Sequence, residues 1–135
     1  MSTALKGGCL CGAIRYQLDT APHSAGYCHC RMCQRASGAP LVAWMTIANN
    51  QFRYTKGEPG VYHSSSRSQR EFCPYCGTQL VFRTDGAERV DVTLSSLDNS
   101  DKVKPAYHIW HDSKPQWLHL GDLLPRYDND GPDDL

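Results

Sequence analysis

The stretch "FCPYCGTQLVFRT", residues 72–84, decides how the rest of the chain is read. Cys73 and Cys76 stand three positions apart on a tight turn, and Gly77 behind them tolerates the backbone conformation that aims both sulfurs at one ion. After this knuckle, "TQLVFRT" (78–84) is short and rich in β-branched and aromatic residues, the composition of a strand. A knuckle offers two ligands where a structural zinc site takes four, so two more must come from elsewhere in the chain.

Seven cysteines lie in three motifs, C-L-C at 9–11, C-H-C-R-M-C at 28–33 and C-P-Y-C at 73–76. Buried inert cysteines would be scattered, and an odd count cannot pair completely. The start, "MSTALKGGCL", lacks the charged-then-apolar plan of a secretory signal, so reduced, metal-binding thiols are expected in place of a disulfide framework. Cys9 and Cys11 are the natural partners of the knuckle. Positions i and i+2 share one face of a strand, and the flanking Gly7, Gly8 and Gly12 permit bending. That assigns Cys9, Cys11, Cys73 and Cys76 to one closed site and leaves Cys28, Cys30 and Cys33 as a second. Another partition stays open, because Cys30 and Cys33 are themselves a C-x-x-C pair that could join Cys73 and Cys76. The four-plus-three split keeps each motif whole and is preferred.

Around these motifs the chain reads as one all-β domain. "AIRYQL" (13–18) alternates apolar and polar, and "LVAWMTI" (41–47), "QFRYT" (51–55), "GVYHS" (60–64) and "ERVDVTL" (88–94) are short and β-rich. "NNQ", "KGEPG", "TDG" and "DNSD" supply turns between them. The only helix expected is short, from about Arg31 to Ser37, ended by Gly38 and Pro40. The 14 basic and 14 acidic residues cancel, so no field draws the protein to nucleic acid or an anionic membrane. The apolar run "APLVAWMTIA" (39–48) is too short to span a bilayer, and a soluble cytoplasmic protein is expected.

The segments "GGCLCGAIRY", "CHCRMCQRASGAP", "FCPYCGTQLVFR" and "GDLLPRY", in that order, resemble the glutathione-dependent formaldehyde-activating enzyme family, which also includes the centromere protein V domain. The resemblance covers residues 5–127 as a single domain and leaves 128–135 outside it as an acidic tail expected to fray. It implies a small zinc-stabilised β-tent domain of several antiparallel sheets with two zinc positions. Carried over by position, Cys9, Cys11, Cys73 and Cys76 match the structural zinc ligands, and Cys28, Cys30 and Cys33 match the ligands of the catalytic zinc. The implied reaction joins glutathione to formaldehyde or reverses that, so the protein is expected to be a carbon–sulfur lyase acting on a small-molecule thiol and an aldehyde. One position departs from the family pattern. Gln34 follows the third cysteine where many relatives carry a basic residue.

The chemistry is consistent with three thiolates holding a zinc ion whose fourth position is open. Three thiolates and a dication carry net negative charge, so such a site polarises an aldehyde only weakly but can take an incoming thiol and favour its thiolate. It should also exchange its metal readily and be partly occupied. Arg31 or Arg35 could offset the added charge. His29, between two ligands, is expected to face away from the metal into packing or solvent. His108, Trp110 and His111, in the apolar strand expected over "AYHIWHD" (106–112), are expected to pack as core aromatics, with a substrate cleft as the other option. "SSSRSQR" (64–70) reads as a solvated loop, unless it faces the open position and grips a carboxylate. The rival function is a non-catalytic zinc module for a protein or nucleic-acid partner. A redox role for Cys30 and Cys33 lacks the strand-then-helix pattern it requires.

Overall fold

In the computed structural model, which describes residues 4–132, ten strands and one α-helix follow one another in the order β1 (Leu5–Gly8), β2 (Arg15–Leu18), β3 (Ser24–Cys28), α1 (Arg31–Ser37), β4 (Val42–Ala48), β5 (Phe52–Lys56), β6 (Gly60–His63), β7 (Ser68–Phe72), β8 (Gln79–Thr84), β9 (Arg89–Thr93) and β10 (His108–Ile109). Two sheets result. The smaller has the order β1-β2-β5, the larger β10-β3-β4-β9-β8-β7-β6. All pairs are antiparallel except the short ladder between β10 and β3, where His108 faces Tyr27 and Ile109 faces Cys28. The all-β expectation is met, and the helix has the bounds expected for it.

Alternation along β4 shows how the sheets are packed. Ala43, Met45 and Ile47 belong to the main core with Ile14, Tyr16, Leu18, Leu80, Val90 and Val92. Val42 and Trp44, on the other face, belong to a second cluster with Cys28, Cys33, Tyr107 and Ile109. A strand covered on both faces is apolar nearly throughout, which is why "LVAWMTI" is so legible. Each core meets cysteines at its edge, Cys9 and Cys73 in the first and Cys28 and Cys33 in the second.

Three local expectations are corrected. Residues 68–70 of the supposed loop belong to β7, paired with β6 and β8. Its inward positions carry charge on both faces, so no hydrophobic alternation shows. Arg70 is buried on one face, and Glu71 on the other accepts hydrogen bonds from Tyr54 of the small sheet, Gln69 and Arg83. Second, Cys9 to Gly12 is a turn rather than a strand, closed by Gly12 N–H donating to Cys9 O at 3.2 Å with Gly12 at φ 82°. Third, the "AYHIWHD" strand stops after Ile109, because Trp110 adopts a left-handed backbone (φ 54°, ψ 39°). β1 and β3, both short and glycine-containing, carry no periodic signal at all.

The C-terminal part of the described chain returns along β10. Trp110 N–H donates to Asn129 O and His111 N–H to Tyr127 O, each at 3.0 Å. The acidic end falls partly on residues 133–135, which lie outside the described residues.

Gly26 in β3 leaves room for the Tyr107 ring, because a Cβ there would sit 2.3 Å from Tyr107 Cε2. Gly26→Ala should therefore overpack the second cluster and cost about 1–3 kcal/mol. The check is thermal unfolding, where the melting temperature should fall by roughly 3–10 °C.

Candidate functional site

The seven cysteines form two groups. The sulfurs of Cys9, Cys11, Cys73 and Cys76 all lie within 4.8 Å of one another. Four sulfurs held tetrahedrally at about 2.3 Å from one zinc ion would be about 3.8 Å apart. Here Cys9 Sγ is 3.7 Å from Cys11 Sγ, and Cys11 Sγ is 3.8 Å from Cys73 Sγ. Backbone amides point at these sulfurs as they would at thiolates, with Ile14 N–H on Cys9 Sγ at 3.2 Å and the N–H groups of Tyr75 and Cys76 on Cys73 Sγ at 3.4 Å. Gly77, at φ 80°, turns the knuckle so that its N–H closes on Cys73 O at 2.9 Å. Thr78 joins the two turns: its hydroxyl accepts from Leu10 N–H at 3.0 Å and lies 3.2 Å from Cys76 Sγ. The Thr78 hydrogen bond leads the causes that pull the Cys76 thiol down to about 5. Cys11 is pushed up to about 11, since burial and its sulfur neighbours outweigh the lowering effect of the Ala13 N–H. Thiols this close cannot all ionise unaided, and a divalent cation would remove the conflict. The donor set therefore fits zinc.

The second group, Cys28, Cys30 and Cys33, is local in sequence and also lies within 4.8 Å. Cys28 ends β3, Cys30 caps α1 by accepting from Cys33 N–H at 3.3 Å, and Cys33 lies in the first turn. Hydrogen bonding between the sulfurs pushes the Cys28 thiol far up and pulls the Cys30 thiol down to about 2. These three also fit zinc, and they supply one ligand fewer than a closed tetrahedral site needs. They line a pocket of about 530 Å³ that is bounded by Trp44, Phe82, Ile109 and Trp110.

The cation beside the three sulfurs is Arg70, from β7. Its Nη2 donates to Cys33 Sγ at 3.9 Å, its Nη1 lies 3.5 Å from Gln79 Oε1, and its guanidinium carbon stacks 5.0 Å from the Phe82 ring centre. Sequence reasoning missed it because Arg70 stood in an apparently solvated polar run. Ser64, Ser65 and Ser68 of that run also line the pocket, so the bland reading of the segment fails. Arg31 sits at the pocket with its Nη1 committed to Gln34 Oε1 at 2.6 Å, and Arg35 is exposed and does not line it.

His29 turns away from the sulfurs, as expected, and is fully buried. Its Nε2 is 2.8 Å from His108 Nδ1, and His108 Nε2 lies 3.0 Å from both Asp122 oxygens. An ionised Asp122 can only accept, which assigns the N–H to His108 Nε2. With His108 neutral, its Nδ1 accepts from His29 Nε2–H. Burial and the neighbouring His108, His111 and Lys114 hold His29 down to about 4, so it is neutral at physiological pH. Gln34, the family departure, clamps the same loop by donating to His29 O at 2.7 Å and to Ser113 O at 2.9 Å. Of the three aromatics in 108–111, His108 is core, whereas Trp110 is 40% exposed at the pocket. His111, Asp112 and Asp128 form a further, largely exposed ligand-like group.

The chain is similar to known proteins over most of its length. The profile of the family described as "Glutathione-dependent formaldehyde-activating enzyme" matches residues 4–113. A Halomonas elongata protein that carries the name of this family is 27% identical over 127 residues, covering 86% of this chain and 80% of that one. A Schizosaccharomyces pombe protein named as an uncharacterized lyase is 32% identical over 111 residues, covering 82% of this chain and 80% of that one. The crystal structure of a Rhodobacter sphaeroides protein superposes with a TM-score of 0.61 at 23% identity, covering 90% of this chain and 99% of that one, and shares the fold. No helix among the described residues is long and apolar enough to cross a membrane.

Two sites built so differently should part under chelation. Brief exposure of zinc-loaded protein to a chelator is expected to remove about one equivalent with the circular dichroism spectrum intact. Cys73→Ser should abolish folding, and Cys30→Ser should fold and bind one zinc fewer. Metal counting on purified variants checks both, and the reverse pattern would swap the two roles.

Proposed function

The chain belongs to the glutathione-dependent formaldehyde-activating enzyme family, and from that premise we propose that it makes or breaks a carbon–sulfur bond in a thiol–aldehyde adduct of the S-hydroxymethylglutathione type. The observation that carries this is the convergence of Cys28, Cys30 and Cys33 on a pocket, with a buried arginine against them. Cys28, Cys30 and Cys33 would hold a zinc ion, which supplies there a fourth position that favours the thiolate form of a substrate thiol.

The chain's own residues do the remaining work. In the addition, the thiol sulfur forms a bond to the aldehyde carbon, the carbonyl π pair moves to oxygen, and the thiol's proton ends on that oxygen. Cleavage is the reverse, with sulfur leaving. Arg70 offsets the negative charge that the cysteine thiolates bring together, a role sequence reasoning gave to Arg31 or Arg35. Its stack on Phe82 fixes the guanidinium plane so that little reorganisation is needed as charge moves between sulfur and oxygen. Trp44 and Ile109 keep bulk water off the sulfurs, which strengthens every one of these interactions. Cys9, Cys11, Cys73 and Cys76 take no part in the reaction in this scheme and hold the fold.

The uncatalysed addition is fast, so product formation proves nothing. Exchange between free and adduct formaldehyde, read by NMR, is the measurement. Zinc-loaded wild type should accelerate it, whereas Cys30→Ser and zinc-depleted wild type should match background. Arg70→Met should lower the enzymatic part roughly 10- to 100-fold, the range seen when a hydrogen-bond partner of a metal ligand is removed. Equal rates in all samples across several thiols would make the protein a metal-binding module without catalysis.

A further inference from the structure

Resting on that reading, we propose that the thiol taken by this pocket carries an uncharged apolar group of aromatic size, and that Trp110 sets the preference. Charge is the first argument. The pocket holds two guanidinium groups, Arg70 bonded to Cys33 and Arg31 bonded to Gln34, and two carboxylates, Asp91 and Asp130. Asp91 accepts from Thr46 Oγ1 at 2.7 Å. The cations and carboxylates balance before the cysteine thiolates are counted, so no surplus positive charge receives an anionic ligand. Glutathione brings two carboxylates and an ammonium, and a buried carboxylate without a partner is costly.

Shape and apolar surface are the second argument. Met32, Trp44, Phe82, Ile109 and Trp110 give the wall around the three sulfurs its large apolar side chains. Met32 and Trp110 are half-exposed at the pocket, and its lining also carries the neutral hydroxyls of Ser68 and Thr84, 3.3 Å apart. A volume of about 530 Å³ is far more than formaldehyde and a small thiol fill.

Backbone strain is the third. Trp110 is the only residue other than glycine with positive φ among the described residues. It is held there by its N–H on Asn129 O at 3.0 Å and by Ser113 N–H on its own carbonyl at 3.1 Å. Glycine would serve this backbone with less strain, so the backbone conformation is not what calls for tryptophan here. What the indole adds is apolar area at the mouth of a pocket over reactive sulfurs.

The test uses the zinc-loaded full chain and two probes, 2-phenylethanethiol and glutathione, with affinities measured by calorimetry and exchange of their formaldehyde adducts by NMR. Wild type should bind 2-phenylethanethiol at least about tenfold more tightly than glutathione, the scale set by burying an aromatic side group. Trp110→Gly should lose most of that ratio without lowering the melting temperature. Should it fold poorly, Trp110→Asn, which tolerates the left-handed region, replaces it. Tighter binding of glutathione, or a ratio unchanged in both variants, overturns the proposal. Catalysed exchange with either thiol supports the carbon–sulfur function whichever way the ratio falls. A tenfold ratio with no catalysed exchange keeps the apolar preference and overturns the enzyme reading.

Discussion

Sulfurs from two distant turns, Cys11 and Cys73, lie 3.8 Å apart across 62 positions of sequence, and the fold depends on that convergence. Cys9 and Cys11 follow β1 of the small sheet, while Cys73 and Cys76 join β7 to β8 of the large one. The group therefore fastens one sheet to the other at a corner of the main core, next to Ile14 and Leu80. Four thiols without a cation work against this geometry, and with one they enforce it. The Tyr54–Glu71 hydrogen bond and the Arg83 guanidinium over the Phe52 ring also link the two sheets.

The second cysteine group has no such span. Its ligands come from one strand end and one short helix, so their spacing is set locally and their environment is set from afar. Tyr107 and Ile109 on one side, Arg70 and Phe82 on the other, arrive from segments far along the chain. The loop that carries the sulfurs is locked from behind by Gln34 and by the run from His29 through His108 to Asp122. This division suits a site that must keep its donors in place while leaving one side free for a ligand.

Local chemistry was legible in the sequence, and long-range placement was not. The knuckle, the glycine turns, the buried β4 and the helix at 31–37 announce themselves through spacing, turn residues and unbroken apolar runs. Arg70 and Glu71 hid because a strand with buried charge on both faces looks like a polar loop; only the partners Cys33, Phe82, Tyr54 and Arg83 reveal it. Trp110 hid for a different reason. It continues an apolar run, and its left-handed backbone is imposed by hydrogen bonds to residue 129 and from residue 113. Gln34 was noted as a departure, yet its use as a clamp on two carbonyls requires Ser113 to be nearby, which no local pattern states.

The parallel ladder between β10 and β3 has two residue pairs, and it joins positions 108–109 to 27–28. Contacts of such sequence separation form late, because the loop they close is costly until the intervening strands are in place. The wall of the pocket that includes Ile109 and Trp110 thus arrives late and is then held from both sides, by β3 and by backbone hydrogen bonds from His108 to Pro125, from Trp110 to Asn129 and from His111 to Tyr127. Its place against the three-sulfur group therefore depends on the segment from 125 to 129 as much as on β3. The wall over the three sulfurs is in this way secured by residues late in the described chain, and the joint between the two sheets by the other four cysteines.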